Sequence, residues 1–301
     1  LAANGFVEIM NNSLTKGAYY KGLTTYPEEK SVNIVNPLSS DLNVMRQTLI
    51  FSGLEVVAYN LNRQISSMKL FEYGSVYSRD PEKDGKTLAS YEEHPAFSMF
   101  VTGTPEKSWN NQPGKSSFFE LKGYVDLLLR RFGANLYQME ATAAPADIFS
   151  EGVAYALPGQ HLLAVLGTVS PTIAKKFGVR QPVFAAEINW NTLFQLVKRD
   201  KVAFREMPKF PEVRRDFALL LDESVSYADL YKSSFKAGKK LLKQVTLFDV
   251  YRGDKIPEGK KQYALGFVLQ DLEKTLTDED VERIMKKLLS TFQNEYGATL
   301  R

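Results

Sequence analysis

LFDVYRGDKIPEGKKQYALGFVLQD, residues 247–271, decides the fold of the second half of the chain. Two apolar runs, 247–251 and 262–269, flank a polar loop rich in Gly, Lys and Pro, which is the pattern of two paired strands joined by a long turn. Side chains alternate along a strand, so Asp249 and Tyr251 point to one side and Phe248 and Val250 to the other. A sheet with one apolar face and one face bearing an acid and an aromatic is either a binding platform or an ordinary half-exposed sheet.

Working outward, the elements run strand 214–221, helix 227–237, strand 245–251, strand 262–269, helix 278–296, strand 298–301. That is the βαββαβ order of a ferredoxin-like fold. The last helix is fully punctuated: Thr277 caps it, Asp278, Glu279 and Asp280 suit its positive end, and Gly297 ends it. Its apolar stripe, from Val281 through Leu288 to Tyr296, faces a sheet. Alternation assigns Phe217, Leu219, Leu221, Phe248, Val250, Leu265, Phe267 and Leu269 to the face under the helices. The other face then carries Asp216, Ala218, Leu220, Asp249, Tyr251, Gln262, Ala264 and Gly266, small, polar and aromatic, with room for a flat base to lie against the sheet. Arg214, Arg215, Arg252, Lys260 and Lys261 surround it, as phosphate contacts or as solvated loop charges.

Upstream, Pro208 and Pro211 cannot continue a helix, so the expected domains are 1–206 and 207–301. In the first, residues 6–10 alternate as a strand, and Asn36-Pro37 stops a second apolar run. A helical region is expected over 41–62, interrupted at Gly53, with Met45, Leu49 and Val57 on an apolar surface suited to a subunit contact. Strands are expected at 69–77, 96–103 and 162–169, and a helix at 118–132. Ser170 and Pro171 open a short helix that Gly178 closes, and a further strand, VFAAEINW, follows.

Composition narrows the chemistry. The 301 residues, 44% hydrophobic and 24% charged, suit about two globular domains. Without cysteine there are no disulfides, zinc-thiolate sites or thiol nucleophiles, which is compatible with a reducing cytoplasm. His94 and His161 are the two histidines, and neither has a carboxylate or serine spaced to make it a base or a metal ligand. A net charge of +3 is too small to establish nucleic-acid binding alone. No apolar run approaches the ~18 residues of a membrane span. The chain starts on Leu1 rather than Met, directly in an apolar segment, and is expected to be part of a longer polypeptide.

Two groups of motifs carry a resemblance. N-P-L-S at 36–39 with Met45, Arg46 and Leu49, F-E-x-G-x-V-Y at 71–77, and the Leu121-Lys122-Gly123 helix resemble the class II aminoacyl-tRNA synthetase fold. F-P-x-V-R-R-D at 210–216, L-F-D-V-Y-R-G at 247–253, E-G-x-K at 258–261 and L-Q-D-x-x-K-T-L at 269–276 resemble the anticodon-binding domain of the bacterial phenylalanyl-tRNA synthetase beta-subunit family. The resemblance implies an α+β chain: a class II synthetase-like antiparallel sheet with flanking helices, then the ferredoxin-like domain. Catalytic class II relatives follow the F-E-x-G strand with an arginine and, two residues on, a glutamate that grip ATP and the amino acid; here Ser78, Arg79 and Asp80 follow, and the one-residue shift turns Arg79 to the other face. The first domain is therefore expected to be catalytic-like but inactive, with no catalytic and no metal-binding residues in this chain.

By the same resemblance the whole enzyme is a cytoplasmic α2β2 heterotetramer that uses ATP and magnesium. Its alpha subunit carries the active site, and the beta subunit binds the tRNA(Phe) anticodon, with anticodon-facing positions at Ala218, Asp249, Tyr251 and Gln262. Family members often carry serine where Gln262 stands. Two other readings are a free-standing class II-type ATP-dependent ligase and a protein-interaction module.

Overall fold

In the computed structural model the described residues are 1–301 except 84, 106–108, 111–113, 135, 137, 138, 158, 160, 199–203, 205, 254 and 255. The chain divides into two units, Leu1–Lys201 and Val202–Arg301. The first unit contains strands β1 (Val7–Glu8), β2 (Leu14–Thr15), β3 (Val44–Met45), β4 (Met68–Arg79), β5 (Tyr91–Thr102), β6 (Glu140–Ala143), β7 (Phe149–Leu157), β8 (His161–Val169) and β9 (Val183–Asn189). Its helices are α1 (Ile50–Leu61), α2 (Phe118–Arg131), α3 (Pro171–Lys176) and α4 (Trp190–Val197). Seven strands form one sheet in the order β1-β4-β5-β9-β8-β7-β6, antiparallel except for β1 beside β4. Alternate residues feed two cores: Leu70, Phe100, Val165 and Ala185 pack with α1, whereas Met99, Leu166, Ala186 and Ile188 pack with α2 and α4. Both faces of this sheet are thus covered.

The helix expected over 41–62 begins only at Ile50. Residues 44–45 are strand, paired with Thr15 and Leu14 of β2, and the next residue is anchored where the Arg46 guanidinium donates to Glu72 at 2.7 Å and to the Ser75 carbonyl at 3.0 Å. Helix α1 starts where the Glu187 carboxylate accepts from the Leu49 amide at 2.6 Å and the Thr48 hydroxyl at 2.8 Å, taking the place of a side-chain cap. Gly53 does not interrupt this helix; a Cβ there would lie 2.0 Å from the Phe100 ring, so the glycine lets α1 settle on β5. The expected contact surface is also corrected, since Leu49 and Val57 are both 0% exposed inside their own unit. Arg46 and Glu72, with side chains 4% and 1% exposed, form a buried pair that Asn11 completes through its backbone and side-chain amides. Gly74 makes room for it, because a Cβ there would stand 2.3 Å from Arg46 Nη2.

The second unit runs β10 (Val213–Asp222), α5 (Tyr227–Gly238), β11 (Leu242–Tyr251), β12 (Lys260–Leu269), α6 (Asp278–Tyr296) and β13 (Thr299–Leu300). The strand order is β11-β12-β10-β13, antiparallel throughout, which is the ferredoxin-like arrangement. Thr277 accepts from the Asp280 amide at 3.2 Å and Gly297 ends α6 at φ 61°, so this helix has the limits its punctuation predicts. Leu219, Leu221, Leu265, Phe267 and Leu269 pack beneath it and α5, against Leu230, Val281, Leu288 and Phe292.

One assignment to that apolar face fails. Leu247 pairs with Leu265 and Asp249 with Ala264, so Phe248 is an extra residue, a β-bulge, and alternation slips by one across it. Phe248 is 54% exposed instead of buried, and Val250, level with Tyr263, remains 40% exposed.

Candidate nucleic-acid interface

Among the described residues no helix of the second unit covers the other face of its sheet, and pairing sets its side chains in rows. Tyr251 is level with Gln262 and Leu220; Asp249 with Ala264 and Ala218; Thr246 with Gly266 and Asp216; Gln244 with Val268 and Arg214. The bulge lies before Asp249, so the Asp249 and Tyr251 spacing survives it. The middle of the face is a floor of Ala218, Ala264 and Gly266, with longer side chains at its rim. Tyr251 is 39% exposed, and a Cβ on Gly253 would approach its hydroxyl to 2.7 Å, so the glycine leaves the ring its place over the following turn. Asp249 is exposed with no ion pair among the described residues.

The cations divide. Arg214 stands on the open face and contacts Asp216 at 3.4 Å, and exposed Lys260 lies on the same face at the other end of β12. Arg215 shares the side of Phe217 and turns toward Asp278 at the start of α6, 3.8 Å away. Arg252 follows the end of β11 and grips Glu223 at 2.7 and 2.9 Å, a pairing that holds the Glu223 carboxyl below its usual range and raises the guanidinium further. Lys261 is the plain correction: it is 4% exposed, and its ammonium lies 4.8 Å from the centre of the Tyr263 ring and donates to the Glu223 carbonyl at 2.7 Å. It is not free to hold a phosphate. Its parity with Tyr263 and Leu265 already contained that outcome, and the parity of Arg215 with Phe217 did the same.

Sequence reasoning missed two members of the open face. Phe248 comes to it only through the bulge. Arg301 reaches it because β13 pairs with β10: its amide donates to the Ala218 carbonyl at 3.0 Å and its guanidinium to Gln262 Oε1 at 2.7 Å. The terminal strand was legible, but its neighbour in the sheet was not. Gln262 therefore has its oxygen engaged and its Nε2 donor left toward the face.

Residues 1–190 match the family described as "Phenylalanyl tRNA synthetase beta chain CLM domain", and residues 208–301 match the "Ferredoxin-fold anticodon binding domain". The chain belongs to the phenylalanyl-tRNA synthetase beta-chain family. Its relatives include the phenylalanine-tRNA ligase beta subunits of Bacteroides fragilis and Bacteroides thetaiotaomicron, 43% and 42% identical over 304 residues that span 100% of this chain and 37% of theirs. The Fusobacterium nucleatum subunit is 32% identical over 301 residues, 99% of this chain and 36% of its own. The chain thus spans little more than a third of the length of these family members. Among solved structures, pyrrolysyl-tRNA synthetase from Desulfitobacterium hafniense overlays 66% of this chain and 65% of its own with a TM-score of 0.47 and 15% identity.

Proposed function

We propose that this chain serves phenylalanylation of tRNA(Phe) as the non-catalytic part of a beta subunit, its second unit binding the anticodon and its first unit supporting the catalytic alpha subunit. The observation that carries the reading is the row Asp249, Ala264, Ala218 beside Tyr251: an acceptor and a ring standing over a floor of methyl groups. A base laid on that floor stacks against Tyr251, while the Asp249 carboxylate accepts from a guanine edge and Gln262 Nε2 donates to a base acceptor. Arg214 and Lys260, at opposite ends of the face, supply phosphate contacts that position the strand without reading it. Arg252 joins them by exchanging Glu223 for phosphate.

The first unit does not fit a nucleotide. Its buried arginine, Arg46, is consumed by Glu72 and Ser75, and α4 opens on Trp190 under an Asn189 cap where an ATP-binding arginine would be needed. Among the described residues no group of three His, Asp or Glu side chains is placed to hold a metal. In this proposal ATP and magnesium are used by the alpha subunit of an α2β2 enzyme. Among the described residues no helix is long and apolar enough to cross a membrane. A cytoplasmic location is part of the same proposal. The domains, 1–206 and 207–301, are separable pieces in this reading, and residues 208–301 expressed alone should unfold in one cooperative transition.

The test is Tyr251→Ala in the assembled enzyme. Cognate tRNA should bind about 5- to 150-fold more weakly, Tyr251→Phe should restore most of the loss, and the melting temperature should hold. An unchanged affinity ratio between cognate and anticodon-exchanged tRNA overturns the reading. Phenylalanine-dependent pyrophosphate exchange by this chain alone would overturn its non-catalytic role.

A further inference from the structure

Phe248 is a large apolar side chain, 54% exposed, on the edge strand of a four-stranded sheet. Edge strands ordinarily avoid such residues, because they invite association. The bulge that displaces it also turns it to the face that carries Asp249 and Tyr251, where the Arg214 guanidinium lies 5.9 Å from its ring centre. The floor beside it is Gly266. A Cβ there would stand 3.0 Å from Thr246 Oγ1, 3.1 Å from Asp216 Oδ1 and 3.2 Å from Arg214 Nη2. Thr246, Asp216 and Arg214 thus close over Gly266, Arg214 donating to Asp216 at 3.4 Å and the Thr246 hydroxyl to the Gly266 carbonyl at 3.4 Å, and they form a low polar surface with an aromatic ring at its rim.

We propose that Phe248, with Arg214, Asp216 and Thr246 around Gly266, is a second base-binding site on this face, which takes a nucleotide neighbouring the one stacked on Tyr251. It rests on the reading of this face as an RNA interface. Phe248 and Tyr251 are three residues apart, and because the bulge residue adds less than a full step along the ladder they stand roughly 7 to 10 Å apart at about 3.3 Å per residue, a spacing suited to two bases splayed along the strand. Four-stranded sheets that read single-stranded RNA stack two or three bases on aromatic side chains in this way. Arg214, held by Asp216, offers a flat cation to the face of the same base and remaining N–H groups to its phosphate. The bulge is then the device that gives one strand two stacking positions of unequal spacing, which regular alternation cannot supply.

The experiment uses the full-length subunit in its native complex and a fluorescein-labelled RNA hairpin with the tRNA(Phe) anticodon loop. Binding and melting temperature are measured for Phe248→Ala, Phe248→Leu, Phe248→Tyr and Tyr251→Ala. Phe248→Ala and Phe248→Leu should each weaken binding about 5- to 150-fold, Tyr should stay within about twofold, and melting should not move because the side chain is more than half exposed. With an abasic nucleotide placed in turn at each anticodon position, Phe248→Ala should lose its effect at one position and Tyr251→Ala at a different one. If Phe248→Leu binds as well as the native protein, Phe248 is apolar cover and the second site falls. If Tyr251→Ala weakens binding and Phe248→Ala does not, the second site falls while the RNA reading stands. If neither weakens binding, both fall.

Discussion

The two sheets of this chain treat polar residues in opposite ways. The seven-stranded sheet has helices against both faces, and the charges that enter it are spent on the fold: Arg46 on Glu72, and Glu187 on the start of α1. The four-stranded sheet has helices against one face, and the acid, amide and cations of the other are spent sparingly or not at all. A buried polar group without a partner costs several kilocalories, so a doubly covered sheet favours charges satisfied from its own chain, with Arg79 Nε and the Ser98 hydroxyl as buried exceptions. A singly covered sheet is free of that demand and can leave its groups to a ligand. Charge inside the first sheet is accordingly spent on stability, and charge on the open face of the second is left accessible.

The sharpest way to break this contrast is to remove one charge from each sheet. Glu72→Ala leaves Arg46 buried and unpaired and should cost about 3 to 5 kcal/mol in denaturant unfolding of the first unit. Asp249→Ala should stay within about 0.5 kcal/mol and act on RNA affinity instead. Equal stability losses would erase the distinction.

A smaller effect is expected at Gly53. Ala is the better helix former, yet its methyl group would overlap the fully buried Phe100 ring, so Gly53→Ala should destabilise by about 1 to 3 kcal/mol. A gain in melting temperature would mean that α1 rests less tightly on β5 than the structure has it.

The neighbouring lysines sharpen the contrast within one strand. Lys261→Ala should cost about 1.5 kcal/mol, because it removes a buried ammonium hydrogen bond to Glu223. Lys260→Gln should leave stability alone, weaken every tRNA alike by a few fold, and lower the salt dependence of binding by about one counterion. Lys261 variants with native stability and weakened binding would reverse the assignment.

The smallest expected effect is a pH dependence at Glu187. Burial raises its pKa, against the hydrogen bonds from Leu49, Thr48 and Tyr26 and the charge of Arg46, which lower it. A carboxyl whose folded pKa is raised binds its proton more tightly in the folded state. Its stabilisation is present at low pH and is lost as pH rises from the ordinary glutamate range through the raised value. Compared with Glu187→Gln, the native chain should lose stability across that window, and parallel profiles would exclude the contribution.

Much of the second unit was legible residue by residue. Thr277, the acidic first turn and Gly297 mark α6 because helix ends carry unsatisfied backbone groups that only certain side chains answer. On β12 strict alternation from Lys260 to Leu269 predicts which side chains are covered, and Lys261 went wrong only because its charge was weighed above its parity. On β11 the same rule failed at Phe248, since a bulge without glycine leaves no mark in the local sequence. In the first unit the extended segment before α1 resembled helix because Met45 and Leu49 fall at helical spacing; Glu72 and Glu187, far away in the chain, anchor Arg46 and Leu49 instead.

By itself the sequence determined the βαββαβ order, the capped helices, the family motifs and the presence of Asp249 and Tyr251 on one side of a strand, because these follow from spacings of a few residues and from local backbone chemistry. Only the tertiary structure decided that Phe248 and Arg301 join the open face, that Lys261 and Arg215 leave it, and that Arg46 and Glu72 neutralise each other inside the other sheet. Those outcomes depend on which strands pair, in which register, and on which face a helix settles, and such choices are made by contacts between residues distant in the chain.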